Sequence, residues 1–254
     1  MVTDDNDDED ETEERALAAA GCVTAIRRIV EAINKDKEGL ATILPIIYPI
    51  LMHSLTPDGL DAIDEGLDVI NIFVYYACDR TTGVPPVMWK LLPQMMYMVA
   101  GNGDDVDGGY AFEYLGQVCI CIQNFINKDP RTFLLVGEGQ TETFFELAVK
   151  FVQRVLVINS HGTHKQDGVT ILRVVIAILE NLPREIDHAL PHMVGMLLAE
   201  LKMAFENGPC PKNFKAMLLQ SIAMAIFNNN SVTLRIIENE GQTFSVFSNW
   251  FGFM

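Results

Sequence analysis

The side chains best suited to chemistry in this 254-residue chain are its histidines, its cysteines and its carboxylates. His188 and His192 stand four apart, a spacing that puts two imidazoles on one helix face, where they could share a metal ion. The intervening Ala189-Leu190-Pro191 lacks the glutamate of a zinc-protease helix, and no third ligand stands nearby, so the pair reads as helix surface. His161 and His164 fall in a polar linker and read the same way. Gly101–Gly109 (GNGDDVDGG) has the look of a calcium loop, but the twelfth position counted from Asp105 is Gly116, where the ion needs a bidentate glutamate. A flexible acidic turn is the better reading. Gly137-Glu138-Gly139 is too short to cradle a phosphate, and no lysine-ended glycine loop follows it. Sequence order shows no Ser–His–Asp or Cys–His arrangement, and no carboxylate pair lies in an apolar setting that would raise its pKa. The expectation is no catalytic residue, no metal and no cofactor.

The five cysteines (Cys22, Cys78, Cys119, Cys121, Cys210) are odd in number, sit among apolar neighbours and form no C-x-x-C pair. They read as small buried hydrophobes in a reducing compartment. The methionines, among them Met52, Met88, Met95, Met96, Met98, Met193 and Met196, fall at helical spacing between Leu and Ile. Core packing is the reading for these, with a plastic binding groove as the sharper alternative.

Charge is placed unevenly. The net charge is −16, and residues 1–14 hold Asp4, Asp5, Asp7, Asp8, Glu9, Asp10, Glu11, Glu13 and Glu14 with no Lys or Arg. The remainder carries 25 acids against 18 bases. That balance excludes a direct nucleic-acid binder, which needs a basic footprint on the phosphates, and permits a basic protein partner. Residues 1–14 are expected to lack fixed structure, because like charges repel and nothing apolar is there to bury. Their role is either a solvated linker or a loop that recruits a basic partner. The start is acidic where a signal peptide is basic, and apolar runs such as Leu40–Met52 are too short to span a membrane, so no membrane insertion is expected.

The elements that would carry these residues are helices throughout 15–254. Leu60, Ile63, Leu67, Ile70, Val74 and Ala77 recur at steps of three and four, with Pro57 and Asp58 as a start signal. Val169, Leu172, Ile176, Leu179 and Leu182 form a second stripe, and Phe214, Met217, Leu218, Ile222 and Ala225 a third. Leu17, Ile26, Ile29, Val30 and Ile33 mark the first helix. Period-two alternation is absent, so no strands are expected. Breakers at Asn34–Gly39, Thr81–Pro86, Ala100–Gly109, Lys128–Pro130, Asn159–Gly168, Pro183 and Asn207–Pro211 cut the chain into about eleven helices.

An internal repeat organises them. Leu44-Pro45, Leu92-Pro93 and Leu190-Pro191 each open a helix, with Pro93 48 residues after Pro45 and Pro191 98 after Pro93. The skipped copy falls near position 142, where Thr141–Lys150 opens a helix without proline. Proline suits a first turn, where its missing N–H has no intrahelical partner to lose. First helices begin near 12, 58, 107, 165 and 211. The two series agree on a period close to 48, the length of a two-helix HEAT-type repeat. The predicted fold is all-α: an α-solenoid of about five antiparallel helix pairs with part of a sixth, in which neighbouring pairs share a continuous core. Phe244, Phe247, Trp250 and Phe251 of that sixth form an apolar stripe with no following repeat, which reads as a cut from a longer protein.

Val84–Pro93 (VPPVMWKLLP), then an acidic glycine-rich turn, then Ala111-Phe112-Glu113-Tyr114, resembles the importin-beta superfamily of nuclear transport receptors, and the importin-seven/importin-eight branch within it. Glu14–Ile33, Ile186–Pro191 and Phe214–Glu240 agree with the same resemblance. It covers nearly the whole chain but only a C-terminal portion of such a receptor. It implies a carrier of protein cargo, often basic, that shuttles between cytoplasm and nucleus through the nuclear pore, with Ran-GTP and nucleoporins engaged through the full-length parent. The family's main Ran contacts lie in repeats this chain lacks. No cargo motif maps residue by residue, so the candidate cargo-binding residues remain Asp4, Asp5, Asp7, Asp8, Glu9, Asp10, Glu11, Glu13 and Glu14. The repeats alone would equally suit a helical scaffold or regulatory subunit of another complex.

Overall fold

The computed structural model describes the backbone of residues 5–101, 107–161, 165–206 and 210–253, and their side chains except at 5–16, 160–161, 165–166 and 253. In chain order the helices are α1 (Asp5–Ala32), α2 (Lys37–Ser54), α3 (Ile63–Ile72), α4 (Pro86–Trp89), α5 (Leu91–Ala100), α6 (Leu115–Lys128), α7 (Pro130–Phe133), α8 (Phe144–His161), α9 (Lys165–Asn181), α10 (Leu190–Glu206), α11 (Lys212–Asn228), α12 (Asn230–Asn239) and α13 (Thr243–Phe253). A 3-10 turn, Pro57–Ala62, leads into α3, and a π-helical turn, Phe73–Ala77, continues it. Among the described residues there is no strand, only an isolated bridge between Val136 and Thr143. The fold is all-α. Within each unit helices pack on their sequence neighbours and first helices on the matching helix of the next pair (α1 on α3, α3 on α6, α9 on α11), the contact pattern of an α-solenoid. Two compact units result: Met1–Gly101 with Gly109–Asp129 and Gly137–Gly139, and Asn102–Gly108 with Pro130–Val136 and Gln140–Met254.

In the first unit α1, α3 and α6 lie side by side, with α2 against α3 and α5 against α6. Ile63, Leu67, Ile70, Phe73 and Val74 bury one face of α3 and its π-turn, as their spacing requires. The stripe expected on the first helix is shifted. Val23 and Val30 are buried, whereas Leu17 is 76% and Ile29 56% exposed, because α1 meets the rest of the unit along a narrow line. Gly59 lets the turn after α2 pass close: a Cβ there would stand 2.1 Å from the His53 carbonyl oxygen.

The prolines need a correction. Pro93 and Pro191 do lie in first turns, third in α5 and second in α10. Pro45 does not open α2; it sits inside that helix, as does Pro49. The start at Lys37 is set instead by Asp36, whose carboxylate accepts the Gly39 N–H at 3.0 Å. At α5 the local cost shows: Pro93 has no N–H to give the carbonyl of Trp89, and the helical run from Pro86 to Ala100 breaks at Lys90. The copy without proline opens α8 by other means. The Thr143 hydroxyl accepts the Glu146 N–H at 3.1 Å while the Glu146 carboxylate accepts the Thr143 N–H at 2.8 Å, a reciprocal capping box.

In the second unit α8 packs on α9, α9 on α11, and α10 on both α11 and α12. Val169, Leu172, Leu179 and Leu182 are buried on one side of the α9 segment, and Phe214, Leu218, Ile222 and Ala225 on one side of α11. Asn228, itself buried, donates from Nδ2 to the carbonyls of Leu179 (2.6 Å) and Leu182 (3.2 Å), tying the end of α11 to the end of α9. The sixth-repeat helix forms as expected: α13 packs on α11 and α12 through Val246, and Phe247 stacks on Trp250 with centroids 6.5 Å apart. Phe244 and Phe251 stay 85% and 72% exposed.

Candidate functional site

The chemistry-bearing residues scatter. His188 lies edge-on to Phe145 at 6.2 Å and His192 is exposed on α10, while the side chains of His161 and His164 lie outside the described residues. Among the described residues no group of three or more His, Cys, Asp or Glu side chains is arranged to hold a metal ion. Gly101 ends α5 at φ +69°, and Gly109 and Ala111 return N–H bonds to the carbonyls of Val99 and Met98 at 2.7 and 2.9 Å. Residues 102–106 of that acidic turn lie outside the described residues. Glu138, in the short glycine pair, meets Lys90 at 2.8 Å. Cys78, Cys119 and Cys121 are buried, and burial pushes the Cys78 thiol up to about 11 and the Cys121 thiol to about 12. Cys22 departs from the expectation and is exposed, because it lies on the uncovered side of α1. Met88, Met95, Met96, Met98 and Met193 are core; Met203 is half-exposed.

What the fold does assemble is charge. Across α1 and α3 the Thr24 hydroxyl donates to Glu65 at 3.2 Å and Arg27 meets Asp68 at 3.0 Å. Across α3 and α6 Gln117 donates to Asp64 at 2.6 Å, Asn124 to Asn71 at 2.6 Å, and the Lys128 ammonium to the Tyr75 carbonyl at 2.6 Å. Partners rise together along both helices, so α1, α3 and α6 run the same way; the starts of α3 and α6 share one edge, and α1 reaches beyond it, since Glu65 in the first turn of α3 lies level with Thr24, well along α1. Asp61, Asp64, Glu65 and Glu113 gather around Tyr114 at that edge, and Asp58 precedes them in the turn before α3. The run Asp5–Glu14 lies on the helical backbone at the N-terminal end of α1, its side chains outside the described residues, and Asp4 lies outside them altogether. Apart from Arg15, the bases of this unit (Arg27, Arg28, Lys35, Lys37, Arg80, Lys90, Lys128) fall elsewhere: none occurs between Glu38 and Asp79 or between Leu91 and Asn127. Acids at helix N-termini and bases at C-termini both suit the helix dipole, so parallel stacking of first helices segregates the charge. Tyr114 reports the field. Its phenol is raised, first by burial and then by Asp64, Glu113, Glu65 and Asp61.

The opposite edge is balanced and bonded. Asp79 accepts the Thr81 and Thr82 N–H groups, each at 2.9 Å, and takes the Lys37 ammonium at 2.7 Å; these hold its carboxyl far below the usual range, the Lys37 bond foremost. Asp129 accepts the Val84 N–H at 3.2 Å. Within the second unit, taken by itself, Asp187 accepts from Asn229 at 2.8 Å. Sequence reasoning missed this series, although its signal was present: an acid or amide recurs in the turn after each first helix, at 36, 79, 129, 187 and 229. It also missed the grouping of Asp61, Asp64, Glu65 and Glu113 about Tyr114.

No family model and no solved structure matches this chain. An importin beta-like SAD2 homolog of Arabidopsis thaliana is 25% identical over 250 residues, covering 98% of this chain and 22% of that protein. A probable importin-7 homolog of Dictyostelium discoideum is 21% identical over 245 residues, covering 96% of this chain and 21% of that protein. The chain thus spans about a fifth of the length of these relatives. The two matches support an importin-beta family relationship.

Proposed function

We propose that this chain, related to the importin-beta family, is a non-enzymatic segment of a nuclear import receptor, and that it takes up basic protein cargo along the acidic edge of its first unit. The observation that carries the reading is the edge itself. Asp61, Asp64, Glu65 and Glu113 stand together around Tyr114 with no described Lys or Arg among them, and Asp4, Asp5, Asp7, Asp8, Glu9, Asp10, Glu11, Glu13 and Glu14 precede them in the chain, on or before α1. Such a field reaches about 8 Å at physiological salt, and it speeds encounter with a Lys/Arg-rich partner more than it fixes one geometry. Passage through the nuclear pore, shuttling between cytoplasm and nucleus, and release of cargo by Ran-GTP belong to the full-length parent on this reading.

The test is the affinity of the chain for a histone or a ribosomal protein as salt is raised. Deleting residues 1–14, and separately substituting Asp61→Asn, Asp64→Asn and Glu65→Gln together, should each weaken binding severalfold and flatten the salt dependence. If neither change moves affinity or slope, the acidic edge is not the cargo surface. A helical scaffold of another complex is the second reading, and Asp61, Asp64 and Glu65 would serve it equally. The parent protein separates the two: GTP-loaded Ran should release the basic cargo from a receptor and leave a scaffold's partner in place.

A further inference from the structure

We draw no further inference here: the strongest candidate, the exposed Tyr75 and Tyr76 ring pair on the π-helical turn after α3 with the Lys128 ammonium over Tyr75, is an open surface patch, and nothing in the structure shows what covers it.

Discussion

Among the described residues Glu200, on α10, carries the carboxyl most displaced towards neutrality, pushed up to about 7 by burial. An unfolded glutamate titrates near 4.3, so between roughly pH 4.5 and 7 the folded chain holds a proton the unfolded chain has lost. Stability should therefore fall as pH rises through that window, by on the order of 1–2 kcal/mol once the partial exposure of the group is discounted. Glu200→Gln should remove that slope and stabilise the chain at pH 8. Urea midpoints from pH 5.5 to 8.5, above the isoelectric point near 4.6, make the comparison; parallel curves for the two proteins would contradict it. Asn228 is a second residue whose role is set by burial. Replacing it with alanine strands the carbonyls of Leu179 and Leu182 in the core, and the expected loss is about 2–3 kcal/mol in denaturant unfolding. A loss under about 0.5 kcal/mol would mean that water replaces the amide. Sequence pattern marks neither residue, since a polar letter inside an amphipathic helix does not say how far it is buried.

At the scale of the helix, one substitution should act with opposite signs at different glycines. Gly59→Ala puts a methyl against the backbone of His53 and Ser54, which cannot move aside, and should cost about 3 kcal/mol or more. Gly116 in α6 and Gly195 in α10 have nothing within 4 Å of the same methyl. There Gly→Ala should stabilise by about 0.5–1 kcal/mol through the unfolded chain and the helix propensity. Thermal unfolding of the three variants decides, and a common sign among them would refute the geometry. Most helices were legible as sequence, because their apolar spacing and their breakers are local. α3, α9 and α11 bury most of the stripes that marked them, with Leu60, Ala77, Ile176 and Met217 only part-buried. The first turn of α2 was not, because a single N-cap carboxylate at Asp36 outweighs a proline eight residues further on than Lys37.

For the whole molecule, the exposed rings of Phe244 and Phe251 on α13 form an uncharged apolar surface, since Thr243–Met254 contains no ionisable side chain. Apolar patches of this kind associate. Light scattering should give a mass that climbs with concentration above the 28.3 kDa of one chain, and Phe244→Ser with Phe251→Ser should hold it there. A strict monomer at high concentration would remove the case for α13 as a sticky face.

The amino-acid sequence by itself determined the all-helical class, the near-48-residue period, the acidic character of the first fourteen residues and the helix at 243–253. Each of these is a property of neighbours along the chain, carried by the spacing of apolar side chains, prolines and charges. Only the tertiary structure decided which side of α1 is buried, that Cys22 is exposed, and that Asp61, Asp64, Glu65 and Glu113 share an edge. That edge depends on how first helices slide against one another. The offset is 41 residues between Thr24 and Glu65 but 53 between Asp64 and Gln117. Connecting segments of unequal length absorb the difference, and side-chain fit between stacked helices sets the register, so no repeat period read along the chain could have supplied it.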